Sequence, residues 1–142
     1  SAILSDYLLM DTLSGINETL SKYYLFFKEY RFFFTDIFEI ERNYPEIISN
    51  WHFYINRMLL QINNRISFDV QRGVLIPQSD EMHELMANNI WMSVIFWLPQ
   101  RKLRGLSIDE KLFKEAVWSQ LTPYLTQRGQ TEFVELIYPS LV

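Results

Sequence analysis

Apolar residues recur at spacings of three and four along most of the chain, the pattern of helices that bury one face. Leu13, Ile16, Leu20, Tyr23, Tyr24 and Phe27 follow Asp11-Thr12 in this way and predict a first helix. A second, over about residues 31–43, keeps Phe33, Phe34, Ile37, Phe38 and Ile40 on one side and Asp36, Glu39, Glu41 and Arg42 on the other. Tyr44-Pro45 stops it, because the residue before a proline is pushed out of the helical region. Pro45 in turn suits the first turn of a third and longer helix, carried by Ile48, Trp51, Ile55, Met58, Leu59, Ile62 and Ile66 to about Arg72, with Gly73 as its stop.

Residues 74–77 read as a short extended link, after which Ser79 caps a fourth helix with Asp80 and Glu81 in its first turn. This helix is amphipathic through Met82, Leu85, Met86 and Asn89, then apolar all round from Ile90 to Leu98, and it is expected to end at Pro99. A helix of that second kind needs cover on every side, more than one small domain readily gives, so a second subunit is the expected source. Ser107-Ile108-Asp109-Glu110 has the form of a capping box, in which Ser107 and Glu110 satisfy each other's backbone amides at the start of a fifth helix. Its stripe is Leu112, Phe113, Ala116, Val117, Leu121 and Tyr124, widened by Trp118, and a short last helix over about residues 131–137 stops before Pro139.

Composition fixes the class. Only 4 Gly and 5 Pro in 142 residues leave few turns and favour an all-α fold. With 49% apolar and 21% charged residues the chain can offset its ordering entropy, and its length suits one domain over residues 1–142. The absence of Cys removes disulfides, thiolate zinc sites and thiol nucleophiles, and agrees with a cytoplasmic location. A net charge of −4 supplies no basic face for a phosphate backbone. The one basic cluster, Arg101, Lys102 and Arg104, fits the negative end of a helix dipole. Asp6 and Asp11 interrupt the first apolar residues, so no signal peptide is expected in them, and the apolar stretch over residues 85–98 falls short of the ~20 residues a membrane span needs.

Candidate chemistry is sparse. His52 and His83 lie on different predicted helices, and Asp80-Glu81-Met82-His83 supplies a single copy of an acid-to-histidine spacing that a di-metal bundle needs twice, so no metal and no cofactor is expected. Asp36, Glu39 and Glu41 read as a solvated face, and Gly15, Gly73, Gly105 and Gly129 stand too far apart for a phosphate-cradling loop. An enzyme is not expected. Aromatic residues, 16% of the chain, crowd instead between Tyr23 and Phe38 and return in Trp51, Phe53, Tyr54, Trp91, Phe96 and Trp97. Such stripes form core, and with polar tips such as Tyr54, Asn89 and Ser93 they also form small-molecule cavities between helices.

Tyr30-Arg31-Phe32-Phe33-Phe34-Thr35-Asp36-Ile37 resembles the ligand-binding, C-terminal half of TetR-type bacterial transcriptional regulators, in the subgroup with an aromatic Y-R-F-F-F-x-D signature. Tyr44-Pro45-Glu46 is similar to the proline-started next helix of that family and Gly73-Val74-Leu75 to its helix-ending step, while Ile90 to Leu98, with Trp91 and Trp97, resembles its dimer-forming helix. The resemblance runs from about residue 12 to 138, with Thr35 where the family often has a basic residue. It implies a bundle of about five main helices and a short C-terminal one, serving as a regulatory domain. On that resemblance the DNA-reading helix-turn-helix domain is expected to lie outside this chain, and the opening Ser1-Ala2, with no initiator Met, is read as that of a fragment of a longer protein.

The resemblance further implies a homodimer through helices about 79–99 and 107–125, anchored by Trp91, Ile95, Leu98, Trp118 and Leu121. It implies a cavity for a small hydrophobic effector, for which Phe34, Ile37, Trp51, Tyr54, Met58, Asn89 and Ser93 are the expected lining, with Tyr54 and Asn89 orienting the guest. DNA would be met only through the missing N-terminal domain, and no membrane partner is expected. A helical interaction module with the same aromatic core and no cavity is the alternative, and a small helical enzyme a more distant one.

Overall fold

A computed structural model describes residues 12–29 and 42–142, with residues 47–49 described through their backbone alone. Five α-helices make up most of it: α1 (Ser14–Glu29), α2 (Glu46–Gln71), α3 (Asp80–Leu103), α4 (Glu110–Leu121) and α5 (Gln127–Leu136). Two 3-10 turns, Thr122–Tyr124 and Tyr138–Ser140, follow α4 and α5. The class is all-α, with a single antiparallel bridge between Leu75 and Leu125 among the described residues. The second predicted helix, its acids Asp36, Glu39 and Glu41 and the aromatic signature fall outside them, apart from the end of that helix at residues 42–43.

α1, with Leu13 just before it, turns Ile16, Leu20, Tyr23, Tyr24 and Phe27 inward, the periodic set in the sequence, and leaves Leu25 and Phe26 in solvent. Three aromatic rings join it to its neighbours: Tyr24 packs on Phe113 of α4 at 6.0 Å, and Phe113 meets Trp97 of α3 edge-on at 5.5 Å. Fully burying side chains of this size contributes roughly 1.5–3 kcal/mol each.

Helix ends follow local chemistry, with three departures from the sequence reading. α2 begins at Pro45 and closes at Gly73, where the N–H groups of Gly73 and Val74 reach back to the Val70 and Asp69 carbonyls at 3.0 and 2.9 Å. α3 does not stop at Pro99 but runs on to Leu103. Its terminus is set by Gly105 at φ 65, a left-handed position costly for any side chain, with Leu106 N–H on the Arg101 carbonyl at 2.9 Å and Gly105 N–H on that of Lys102 at 3.1 Å. Arg101 and Lys102 lie in that last turn, where their charge favours the dipole, and Arg101 covers the Trp97 ring at 5.4 Å.

The second departure is the cap of α4. Asp109, not Ser107, is the N-cap: its carboxylate accepts from the N–H groups of Lys111 and Leu112 at 2.7 and 3.3 Å. An ionised carboxylate meets the positive helix end better than a hydroxyl, and Ser107 is left to accept from Arg101 at 3.4 Å, with Glu110 near Lys114 at 3.9 Å. α5 also starts earlier than expected, because Thr126 caps it by accepting from Gly129 N–H at 3.1 Å.

Candidate functional site

An apolar opening lies between four helices. Ile16, Leu20 and Tyr23 of α1 form one wall, Met58, Ile62 and Ile66 of α2 a second, Ile90, Trp91 and Val94 of α3 a third, and Val117 and Leu121 of α4 a fourth. The empty space is about 50 Å³. A benzene-sized guest needs a cavity on the order of 150 Å³, so a larger molecule enters only if the helices part.

At one end of this space stand two charged residues, Arg65 and Asp69, both buried. Arg65 Nε donates to Asp69 Oδ2 at 2.9 Å and its terminal nitrogen to the Thr12 carbonyl at 2.7 Å. Arg72 donates to the other Asp69 oxygen at 3.0 Å and to both oxygens of Glu132, and Glu132 accepts in addition from Leu13 N–H at 2.7 Å. Four elements of the chain thus meet through charge: the residues entering α1, the cavity face of α2, its C-terminal end, and α5. Burial lowers the Arg65 pKa against the pull of Asp69. For Arg72 burial works in the same direction, but its hydrogen bonds to Glu132 and Asp69 outweigh it and hold the guanidinium above its ordinary value.

Of the residues expected to line a cavity, Met58 does so. Phe34 and Ile37 lie outside the described residues. Trp51 is half-buried and Tyr54 is 58% exposed, both on the N-terminal half of α2 beyond the described walls. Asn89 and Ser93 point to the other side of α3, Asn89 onto a shallow surface hollow shared with Ser119, Gln120 and Tyr124, and Ser93 to an amide hydrogen bond from Gln120. The two faces are told apart by one helical step, which the all-apolar Ile90–Leu98 stretch hides: with no polar stripe, its sequence gives no orientation.

The same ambiguity governs the expected interface residues. Ile95, Leu98, Trp118 and Leu121 are buried in this chain's own core, Trp118 to 1% exposure, and Trp118 gives its indole N–H to Asn17 at 3.2 Å. Trp91 is half-buried and, like Leu121, borders the cavity. Side chains enclosed by their own chain offer a partner no surface in this conformation. What α3 leaves open is Met82, Leu85, Asn89, Met92 and Phe96, at spacings of three and four, with Met92 52% and Phe96 46% exposed.

Among the described residues no three His, Cys, Asp or Glu side chains converge on a metal-sized point. His83 is buried and accepts from the Gln78 N–H at 3.2 Å, securing the entry to α3, while His52 is exposed. No helix among them is long and apolar enough to cross a membrane.

A family model named TetR and described as bacterial transcriptional repressor matches residues 5–133. The crystal structure of a TetR-family transcriptional regulator from Marinobacter aquaeolei VT8 superposes with a TM-score of 0.79 at 22% identity, over 95% of this chain and 68% of that one. No curated protein matches.

Proposed function

The chain belongs to the TetR family of bacterial transcriptional repressors, and we propose that it is the effector-binding and dimerising part of such a regulator. DNA contact then falls to an N-terminal helix-turn-helix domain outside residues 1–142, a division supported by the greater length of the related chain. Regulators of this family act on transcription, not as enzymes, and are typically dimers that bind DNA.

The observation that carries the reading is the apolar space between α1, α2, α3 and α4. Because it is smaller than a ring-sized guest, any such guest binds a state with the helices apart better than the state described. That difference in affinity is what lets a ligand shift a conformational equilibrium. The ion-pair network continues from Asp69 at the cavity to Thr12 and Leu13, where the chain enters α1, and so offers a route from the cavity toward whatever lies N-terminal. The open apolar stripe of α3 supports association with a second copy through α3 and α4, with Met92 and Phe96 at its centre.

A thermal-shift screen of small hydrophobic molecules tests the reading, with Val94→Phe, which fills the cavity, as control. Hits raise the melting midpoint of the wild-type chain and leave that of the variant unmoved. A screen in which no compound distinguishes the two returns the chain to the alternative, an interaction module without a cavity.

A further inference from the structure

We infer that two copies pair α3 antiparallel about a two-fold axis at Met92, with each Phe96 ring seated in the other copy's hollow between α3 and α4 and each Lys102 set between the other copy's Glu81 and Glu84; this rests on α3 being the dimerising face. The exposed stripe of α3 is symmetric about its own middle. Met82, Leu85, Asn89, Met92 and Phe96 continue to Leu103, which is 88% exposed. Within one residue, Met92 stands midway between Asn89 and Phe96 and midway between Met82 and Leu103. A two-fold axis makes residue i of one copy meet j of the other, and j meet i. With the axis at Met92, that residue meets its own equivalent, Asn89 meets Phe96 and Met82 meets Leu103, so the apolar side chains of the stripe cover one another.

Shape and charge support this register independently. Asn89 borders the hollow it shares with Met86, Pro123 and Tyr124, whose volume is about 290 Å³. A benzene-sized group needs about 150 Å³, so the Phe96 ring of the other copy fits where the register brings it. Glu81 and Glu84 stand one turn apart near the start of α3, and Lys102 follows Glu84 by about five helical turns, on the same side of the helix. All three are exposed, and none forms an ion pair among the described residues. A two-fold axis across the helix keeps each side of α3 beside the same side of its mate. Antiparallel packing therefore carries Lys102 opposite position 83, between the two acids. Parallel packing would set acids against acids and lysine against lysine, which like-charge repulsion disfavours.

The chain has no cysteine, so single cysteines report the register directly. Met92→Cys and Leu85→Cys are oxidised separately and run on non-reducing gels. A disulfide needs Cα atoms about 4.4–6.8 Å apart. The two copies of residue 92 meet that distance on this register, while those of residue 85 lie roughly 22 Å apart along the helix axes. At least tenfold more covalent dimer is expected from Met92→Cys. By sedimentation, Phe96→Ala weakens the dimer at least about tenfold and Lys102→Glu about tenfold, and adding Glu84→Lys to Lys102→Glu returns it to within about threefold of wild type. A dimeric protein that does not crosslink at residue 92, equal crosslinking at residue 85, an affinity unchanged by Phe96→Ala, or a charge swap that recovers nothing overturns the register and leaves the dimer reading standing. A wild type that stays monomeric at every concentration reached removes the dimer reading itself. Should a cysteine variant fail to fold, the charge swap decides alone.

Discussion

Arg72 and Glu132 lie 60 residues apart in the chain and meet in a two-pronged ion pair, with Nη2 to Oε1 at 3.0 Å and Nη1 to Oε2 at 3.3 Å. Burial pushes the Glu132 carboxyl up, but the hydrogen bonds from Arg72 and the Leu13 N–H and the charges of Arg72 and Arg128 more than cancel this and hold its pKa below the ordinary carboxylate value. The folded protein therefore binds this proton less tightly than the unfolded chain does. Its contribution is in place above the unfolded pKa of about 4.3 and is lost as pH falls through the lower folded value. Urea midpoints are expected to drop below that pH, and Glu132→Gln to flatten the drop while costing about 1–3 kcal/mol at neutral pH. A slope unchanged in the variant would place the acid sensitivity elsewhere.

Gly129 sits where α5 crosses the link after α2, and a Cβ there would lie 2.2 Å from the Val74 carbonyl oxygen. Backbone cannot yield as a flexible side chain can. Gly129→Ala is expected to cost at least about 3 kcal/mol, at or beyond the upper end for overpacking. Gly105→Ala meets no atom within 4 Å and carries only its left-handed backbone, so about 1–2 kcal/mol is expected. Chemical denaturation of the two variants side by side checks the ranking.

The cap of α4 gives a sharper contrast. Asp109→Ala removes both accepted N–H bonds and should cost about 1 kcal/mol, within the range measured for N-caps. Ser107→Ala loses one long contact to Arg101 at an exposed site and should stay within about 0.5 kcal/mol. The reverse order would restore the capping box read from the sequence.

If the open stripe of α3 faces a second copy, Met92→Glu with Phe96→Glu places charges in an apolar contact and leaves the core untouched, since both side chains are about half exposed. Sedimentation should show the wild type as a dimer and the double variant as a folded monomer with an unchanged circular dichroism spectrum. A dimer that survives both charges would move the contact off this stripe.

The fold was legible in the chain wherever periodicity had a polar counterpart. α1 and α2 were bounded within a residue or two by Thr12, Pro45 and Gly73; the buried face of α1 matches the apolar spacing, while of the set on α2 Ile66 is buried and Trp51, Ile55, Met58, Leu59 and Ile62 are half-buried. Of the three boundaries that differ, two share a reason: Pro99 and Ser107 are each a signal overridden by a stronger neighbour, Gly105 and Asp109, while the start of α5 is set earlier by the Thr126 cap. The site was far less legible. Trp91, Asn89 and Ser93 are separated by only a few residues, yet point to different sides of α3, and in a helix apolar all round only the packed structure says which. Arg65, Asp69, Arg72 and Glu132 went unread because two arginines and an acid near a helix end look like an ordinary solvated face. Only the Asp69–Arg72–Glu132 contact, closed across 60 residues, turns them into a buried network.

The bridge between Leu75 and Leu125 fastens two interhelical links to each other as well as to the core. Ile76 N–H donates to the Tyr124 carbonyl at 2.8 Å and Thr126 N–H to that of Val74 at 2.9 Å, so neither link can peel away while the other stays closed. In native-state hydrogen exchange the amides of Ile76 and Thr126 should therefore open as one cooperative unit, with matching protection and matching denaturant dependence, although they belong to segments on opposite sides of α3 and α4 in the chain. The α2–α3 and α4–α5 connections, which look like two independent loops, would breathe together.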